Sequence, residues 1–123
     1  RTDMYIPIIR YADVLLIFAE AENEANGPTA AAYEAVNQLR TRAGLDNLSG
    51  LSKDAFRQAI QKEWILETSH ERIYRFNLVR WGTYLSTMRD YFQKNFPDKV
   101  KNVTEERLYF PCPDHDAMLN PNL

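Results

Sequence analysis

One cysteine, four glycines and no apolar run of membrane-spanning length characterise this 123-residue sequence. Cys112 alone forms neither an internal disulfide nor a multi-cysteine zinc site, and a lone thiol fits either redox compartment. The longest clean apolar stretch, Val14 to Ala19, falls well short of the roughly 18 residues a membrane helix requires. A basic surplus is missing too. Fifteen Lys and Arg stand against seventeen Asp and Glu, for a formal charge of -2 and a pI near 5.7, which argues against a nucleic-acid binder. No glycine-rich phosphate loop is present. There is no initiator Met and no signal-peptide pattern, and the opening Arg1-Thr2-Asp3 reads as the interior of a longer protein.

What the sequence does hold is bulky core material: seven Tyr, six Phe and two Trp, which make intrinsic disorder a poor reading. The length fits one domain and can bury roughly two thirds of its unfolded surface. Residues 1–50 carry four basic and seven acidic side chains and residues 51–123 eleven and ten, so neither half is a charged tail.

The pattern predicts an all-α fold. Met4 to Ile9 is a short extended lead-in, since Pro7 disfavours helix before it. From Arg10 the steps change to three and four. Tyr11, Val14, Leu15 and Phe18, continued by Ala21, Glu22 and Ala25, predict one face of a helix ending at Asn26-Gly27-Pro28. Thr29 is a natural N-cap for a second helix to about Ala43, with Ala32, Ala35, Val36, Leu39 and Ala43 on its apolar face. Together residues 10–44 have the length of a tetratricopeptide-like helix pair, although that motif's Trp, Gly and terminal Pro are missing and no second copy follows. A lone pair of this kind must pack on something else.

After a loop over 45–51, Ser52 caps a third helix with Phe56, Ile60 and Trp64 (or Ile65) inward and Asp54 in its favourable first turn. It either runs on or breaks near Thr68-Ser69. Tyr84 to Phe92 predicts a further helix, with Tyr84, Leu85, Met88, Tyr91 and Phe92 apolar. Beyond Phe96, Pro97, Pro111, Pro113 and Pro121 predict an irregular tail with at most a strand-like piece at Leu108 to Phe110. The expectation is one domain over 1–123: the helix pair 10–44, helices over 52–92 and the tail 96–123.

Three groups of residues invite chemistry. Glu63, Glu67 and Glu71 lie one helical turn apart if the helix is continuous, a spacing that a retaining glycosidase pair can use. Like charges so placed repel unless cations compensate, and Arg72, Arg75 and Arg80 follow closely, so a structural ion-pair lattice is the favoured reading over catalysis. His70 and the triplet Asp114-His115-Asp116 lack a second cluster at ligand spacing, so no metal site is expected. Cys112, between two prolines, reads as a packed thiol. An aromatic side chain offers its face to a ligand only where it is exposed. Of Trp64, Trp81, Tyr84, Tyr91 and Tyr109, Trp81 is expected to be buried and Trp64 at least half-buried. Tyr91 and Tyr109 remain as the candidate ligand contacts.

Three stretches together resemble the C-terminal part of the SusD/RagB family, the surface glycan-binding lipoproteins of Bacteroidetes. The first runs from Leu16 to Glu24, with Ala19-Glu20-Ala21 and Asn23-Glu24, and is followed by Asn37, Arg40 and Arg42-Ala43-Gly44-Leu45. The second is the row Glu63, Glu67, Glu71 leading to Leu78-Val79-Arg80-Trp81-Gly82. The third is Leu108 to Pro113, with Pro111 and Pro113, followed by Asn120-Pro121-Asn122-Leu123. The family often has Gly after the third Glu, Arg two positions on, and Asp before the Leu. Here those places hold Arg72, Tyr74 and Asn77, so the ion pairing at that turn is expected to be rearranged, with Arg72 or Arg75 standing in.

The resemblance implies a SusD-like helical fold, with Glu63, Glu67, Glu71, Arg80, Trp81, Pro111 and Pro113 as structural signature residues and no catalytic residue or cofactor. It implies a non-catalytic, cell-surface protein of the outer membrane, lipid-anchored through an N-terminal segment outside this sequence. Its partners would be an oligosaccharide or other nutrient and a SusC-like TonB-dependent transporter. The alternatives are a helical scaffold that docks the transporter while the ligand site lies elsewhere, and, remotely, a glycoside hydrolase built on the Glu row.

Overall fold

The computed structural model describes residues 8–111 and 113–120 and is helical, with no strand among them. The elements are α1 (Tyr11–Asn26), α2 (Ala30–Arg42), α3 (Lys53–Glu67), α4 (Tyr74–Arg80), α5 (Tyr84–Asn95) and α6 (Asp114–Leu119). Between α5 and α6 lie two 3-10 turns, Pro97–Asn102 and Glu105–Leu108. The chain divides into two compact units, residues 1–71 and 72–123.

In the first unit α1 packs on both α2 and α3. The helix limits follow local chemistry. The Thr29 hydroxyl accepts from the Ala32 amide and the Ser52 hydroxyl from the Ala55 amide, each satisfying a donor orphaned at a helix start. After α2, Gly44 takes a left-handed φ of 72°, which lets its amide reach the Thr41 carbonyl and the Leu45 amide reach that of Arg40. The third helix breaks at Thr68, whose buried hydroxyl donates to the Trp64 carbonyl at 2.6 Å.

The core is made by Leu16, Ala19, Ala32, Val36, Phe56 and Ile60, all without measurable exposure. Only Leu15 of the face expected for α1 is among the buried residues. The inward stripe is Ala12, Leu15, Leu16, Ala19 and Asn23, while Tyr11, Val14 and Phe18 stay exposed. The helix is apolar nearly all round from Val14 to Ala19, so its period does not choose a side. The polar Asp13 and Asn23 are nevertheless buried on the inward side. Ala43, expected on the α2 face, is exposed because it lies past the helix end as its C-cap. The small Ala32 and Ala35 of α2 are buried, as close helix packing requires.

The second unit has a thinner interior: Asn77, Leu78 and Val103 are buried, and no residue of α5 is. Pro97 does not preclude helix here but opens a 3-10 turn, and Pro113 directly precedes α6. A proline at the first position of a helix loses no hydrogen bond, since that amide is an orphan anyway. No strand forms at Leu108 to Phe110. Leu108 ends a 3-10 turn, and Tyr109 after it is extended without forming a ladder. Met4 to Pro7 of the lead-in and Cys112 lie outside the described residues, as does Pro121.

Candidate functional site

The Glu row is neutralised from upstream. Glu63 pairs with Arg40, the Arg10 guanidinium donates to Glu67 at 2.9 Å and reaches Glu71 at 2.9 Å, and Arg42 closes on the other Glu67 oxygen. The compensation expected from Arg72, Arg75 and Arg80 therefore comes instead from the residue before α1 and the last turn of α2. Both precede the row by more than twenty residues in sequence, and helix packing brings them together.

Burial alone would raise the Glu67 carboxyl. The hydrogen bonds from Arg42 and Arg10 outweigh that desolvation and hold it below the ordinary carboxylate value near 4.5. A glycosidase general acid needs the opposite, a proton retained at working pH. The Arg10 guanidinium is correspondingly raised, first by its hydrogen bond to Glu67.

The second unit holds the exposed aromatics. Arg75 is clamped there: its guanidinium donates to the carbonyls of Arg107 (2.7 Å) and Leu108 (3.3 Å) and lies 4.9 Å from the Tyr84 ring centre and 4.5 Å from that of Phe110. The clamp fixes the segment that presents Tyr109, 76% exposed, at the mouth of an open depression of about 410 Å³. Glu106, Arg107 and Pro111 complete its rim.

Tyr91 is half-exposed, edge-on to Phe92 at 5.6 Å and 6.3 Å from Phe96, so much of its ring is spent on its own helix end. Trp81, expected to be buried, is only half-buried, with the Arg80 guanidinium 5.0 Å from its ring; Arg80 also donates to Asn77. Trp64 is buried and donates its indole N–H to Glu20. Pro111 and Pro113 are both exposed. Among the described residues no three His, Cys, Asp or Glu side chains gather at metal-binding distance.

The sequence profile of the SusD family matches residues 1–123. The chain belongs to the SusD family. It is 36% identical over 120 residues to SusD-like protein P25 of Formosa agariphila, which covers 94% of this chain and 22% of that protein. It is 35% identical over 130 residues to SusD-like protein P2 of the same organism, covering 97% and 24%. The crystal structure of a SusD homologue from Bacteroides thetaiotaomicron superposes with a TM-score of 0.81 at 33% identity, covering all of this chain and 28% of that one. The chain thus spans about a quarter of the length of the relatives it matches.

Polar residues between Leu16 and Leu45 tie neighbouring elements of the first unit together. Glu20 accepts from Trp64, Asn23 donates to the Lys53 carbonyl at 3.1 Å, and Glu24 receives Arg57. Asn37 and Arg40 hold the loop after α2, through Leu48 and the Asp46 carbonyl respectively. Sequence reasoning missed this loop-holding face. Its signal is the spacing Tyr33, Asn37, Arg40, which places three hydrogen-bonding side chains along one side of α2.

Proposed function

We propose that this chain is part of a non-catalytic, cell-surface nutrient-binding protein of a SusCD-type outer-membrane uptake system. The whole protein captures an oligosaccharide and delivers it to a SusC-like TonB-dependent transporter, and it is held at the outer membrane by an N-terminal lipid anchor. The match of the SusD family over residues 1–123 carries this reading. The arginine pairing of Glu63, Glu67 and Glu71 supports the non-catalytic part, because all three carboxylates are committed to cations.

The ligand contact proposed within these residues is Tyr109. An exposed ring offers its face to the apolar side of a pyranose, and the charged groups beside it offer partners to the hydroxyls. A second reading, a helical scaffold that docks the transporter while the ligand site lies elsewhere, draws support from the exposed apolar side of α1: Tyr11, Val14, Ile17 and Phe18.

Isothermal titration of the whole protein against host and plant oligosaccharides, with product analysis, tests both readings. Saturable binding without turnover is expected, weakened by Tyr109→Ala. Binding indifferent to Tyr109→Ala favours the scaffold, and turnover lost in Glu67→Gln would overturn the non-catalytic reading.

A further inference from the structure

The depression at Tyr109 does not end at Tyr84. A second hollow of about 260 Å³ lies between α5 and the 3-10 turns, and the two share Tyr84 and Arg107 in their walls. The two hollows adjoin at those residues and make a two-part trough: Tyr109 and Phe110 line one part, Met88, Phe92 and Lys99 the other, and Arg107 lines both. Two adjoining hollows, one of them lined by the exposed Tyr109, offer places to successive rings of a chain.

The charge of its walls is the informative feature. Arg75, Lys99 and Arg107 line it against a single acid, Glu106, and none of the three cations is paired with a carboxylate among the described residues. The whole sequence is net negative. Residues 72–123 nevertheless carry eight basic and six acidic side chains, against seven and eleven in residues 1–71. Positive charge is therefore concentrated in the unit that holds the trough. Arg75 is spent on carbonyls and ring faces, whereas Arg107 and Lys99 are exposed, Lys99 with its ammonium 5.3 Å from the Phe96 ring centre. Those two cations are available to a ligand.

We propose that this trough binds an acidic oligosaccharide, a chain of uronate residues, with one pyranose ring stacked on Tyr109 and a carboxylate held by Arg107 and Lys99. The proposal rests on the nutrient-binding reading above and names its ligand class. A guanidinium binds a carboxylate through two parallel hydrogen bonds, which a neutral hexose cannot accept in the same way. The asymmetry between charged and neutral sugars is thus the signature of the site.

The test titrates the whole protein with a hexameric oligogalacturonate and an oligomannuronate, each beside its carboxyl-reduced neutral counterpart. Binding of at least one uronate chain is expected, about tenfold or more tighter than that of its reduced form, and weakening as salt is raised. Arg107→Gln and Lys99→Gln each remove most of that preference, and Tyr109→Ala weakens the charged and neutral chains alike. All three side chains are exposed in this chain, and a thermal melt of each variant beside the parent protein checks that folding is retained. Equal affinity for charged and reduced chains, a uronate preference untouched by Arg107→Gln and Lys99→Gln, or binding of neutral chains only, overturns the acidic-glycan site and leaves the nutrient-binding reading standing. No binding of any oligosaccharide in the wider panel overturns both.

Discussion

Asn37 clasps Leu48 with both ends of its side-chain amide, donating to the carbonyl at 3.0 Å and accepting from the backbone N–H at 2.8 Å. One amide thus replaces the strand partner that the loop lacks. Tyr33 does the same one turn earlier: its hydroxyl accepts from the Leu51 amide at 2.7 Å, and its ring packs 4.3 Å from Phe56. The loop over 45–51 has no regular structure, yet α2 side chains bond its backbone at Asp46, Leu48 and Leu51.

Asn37→Ala removes both bonds and leaves a partly buried backbone pair unsatisfied. The expected loss is about 1–3 kcal/mol of stability, read from the midpoint of urea unfolding. Asn37→Asp keeps the acceptor and loses the donor, so it should fall between the two. A loss under the noise for Asn37→Ala would mean that water replaces the amide.

Glu67 gives the first unit a defined acid limb. Its folded carboxyl lies below the ordinary value near 4.5 because the bonds from Arg42 and Arg10 overcome its desolvation. The native state therefore binds fewer protons than the unfolded chain between those two values. The stabilisation is complete above about pH 5 and is lost as pH falls through the folded value. Glu67→Gln is expected to cost about 2 kcal/mol at neutral pH and to flatten the fall in unfolding midpoint as the solution is acidified below about pH 5. An acid limb unchanged by Glu67→Gln would assign it to other carboxylates, such as Glu24 beside Arg57.

The helix limits were legible in the sequence because capping is local: Thr29, Gly44 and Ser52 each act within a few residues of themselves. The inward side of α1 was not. Its apolar residues surround the axis, and the choice is made by α2 and α3, which arrive later in the chain. The ion pairs show the same limit. The Glu row was visible and its need for cations followed from repulsion, but proximity in sequence pointed to Arg72, Arg75 and Arg80, whereas folding delivers Arg10, Arg40 and Arg42. Tyr109 was readable only as one of two aromatics left once Trp64 and Trp81 were expected to be covered; the positive walls beside it needed the fold.

Arg72 adopts a left-handed φ of 63°, two residues after His70 at 71°. A side chain in that region costs roughly 1–2 kcal/mol through crowding of Cβ against the following carbonyl. Arg72→Gly should stabilise the protein by about 0.5–1 kcal/mol, the relief of strain less the extra entropy of glycine in the unfolded chain. Arg72→Ala, which keeps the Cβ, should give no gain, and a differential thermal melt of the two separates backbone from charge.

The outward side of α1 is the last testable feature. Tyr11, Val14, Ile17 and Phe18 are each 46–69% exposed on one helix, with Ile8 and Ile9 just before it. An apolar stripe of this kind on a soluble surface marks a contact or an aggregation liability. In the 123-residue chain by itself, concentration-dependent association is expected by sedimentation velocity. Val14→Gln with Phe18→Gln should shift the chain to monomer with little change in melting temperature, because neither side chain is in the core. If the double variant instead unfolds, these residues contribute to the fold after all; if it still associates, the contact lies on another surface.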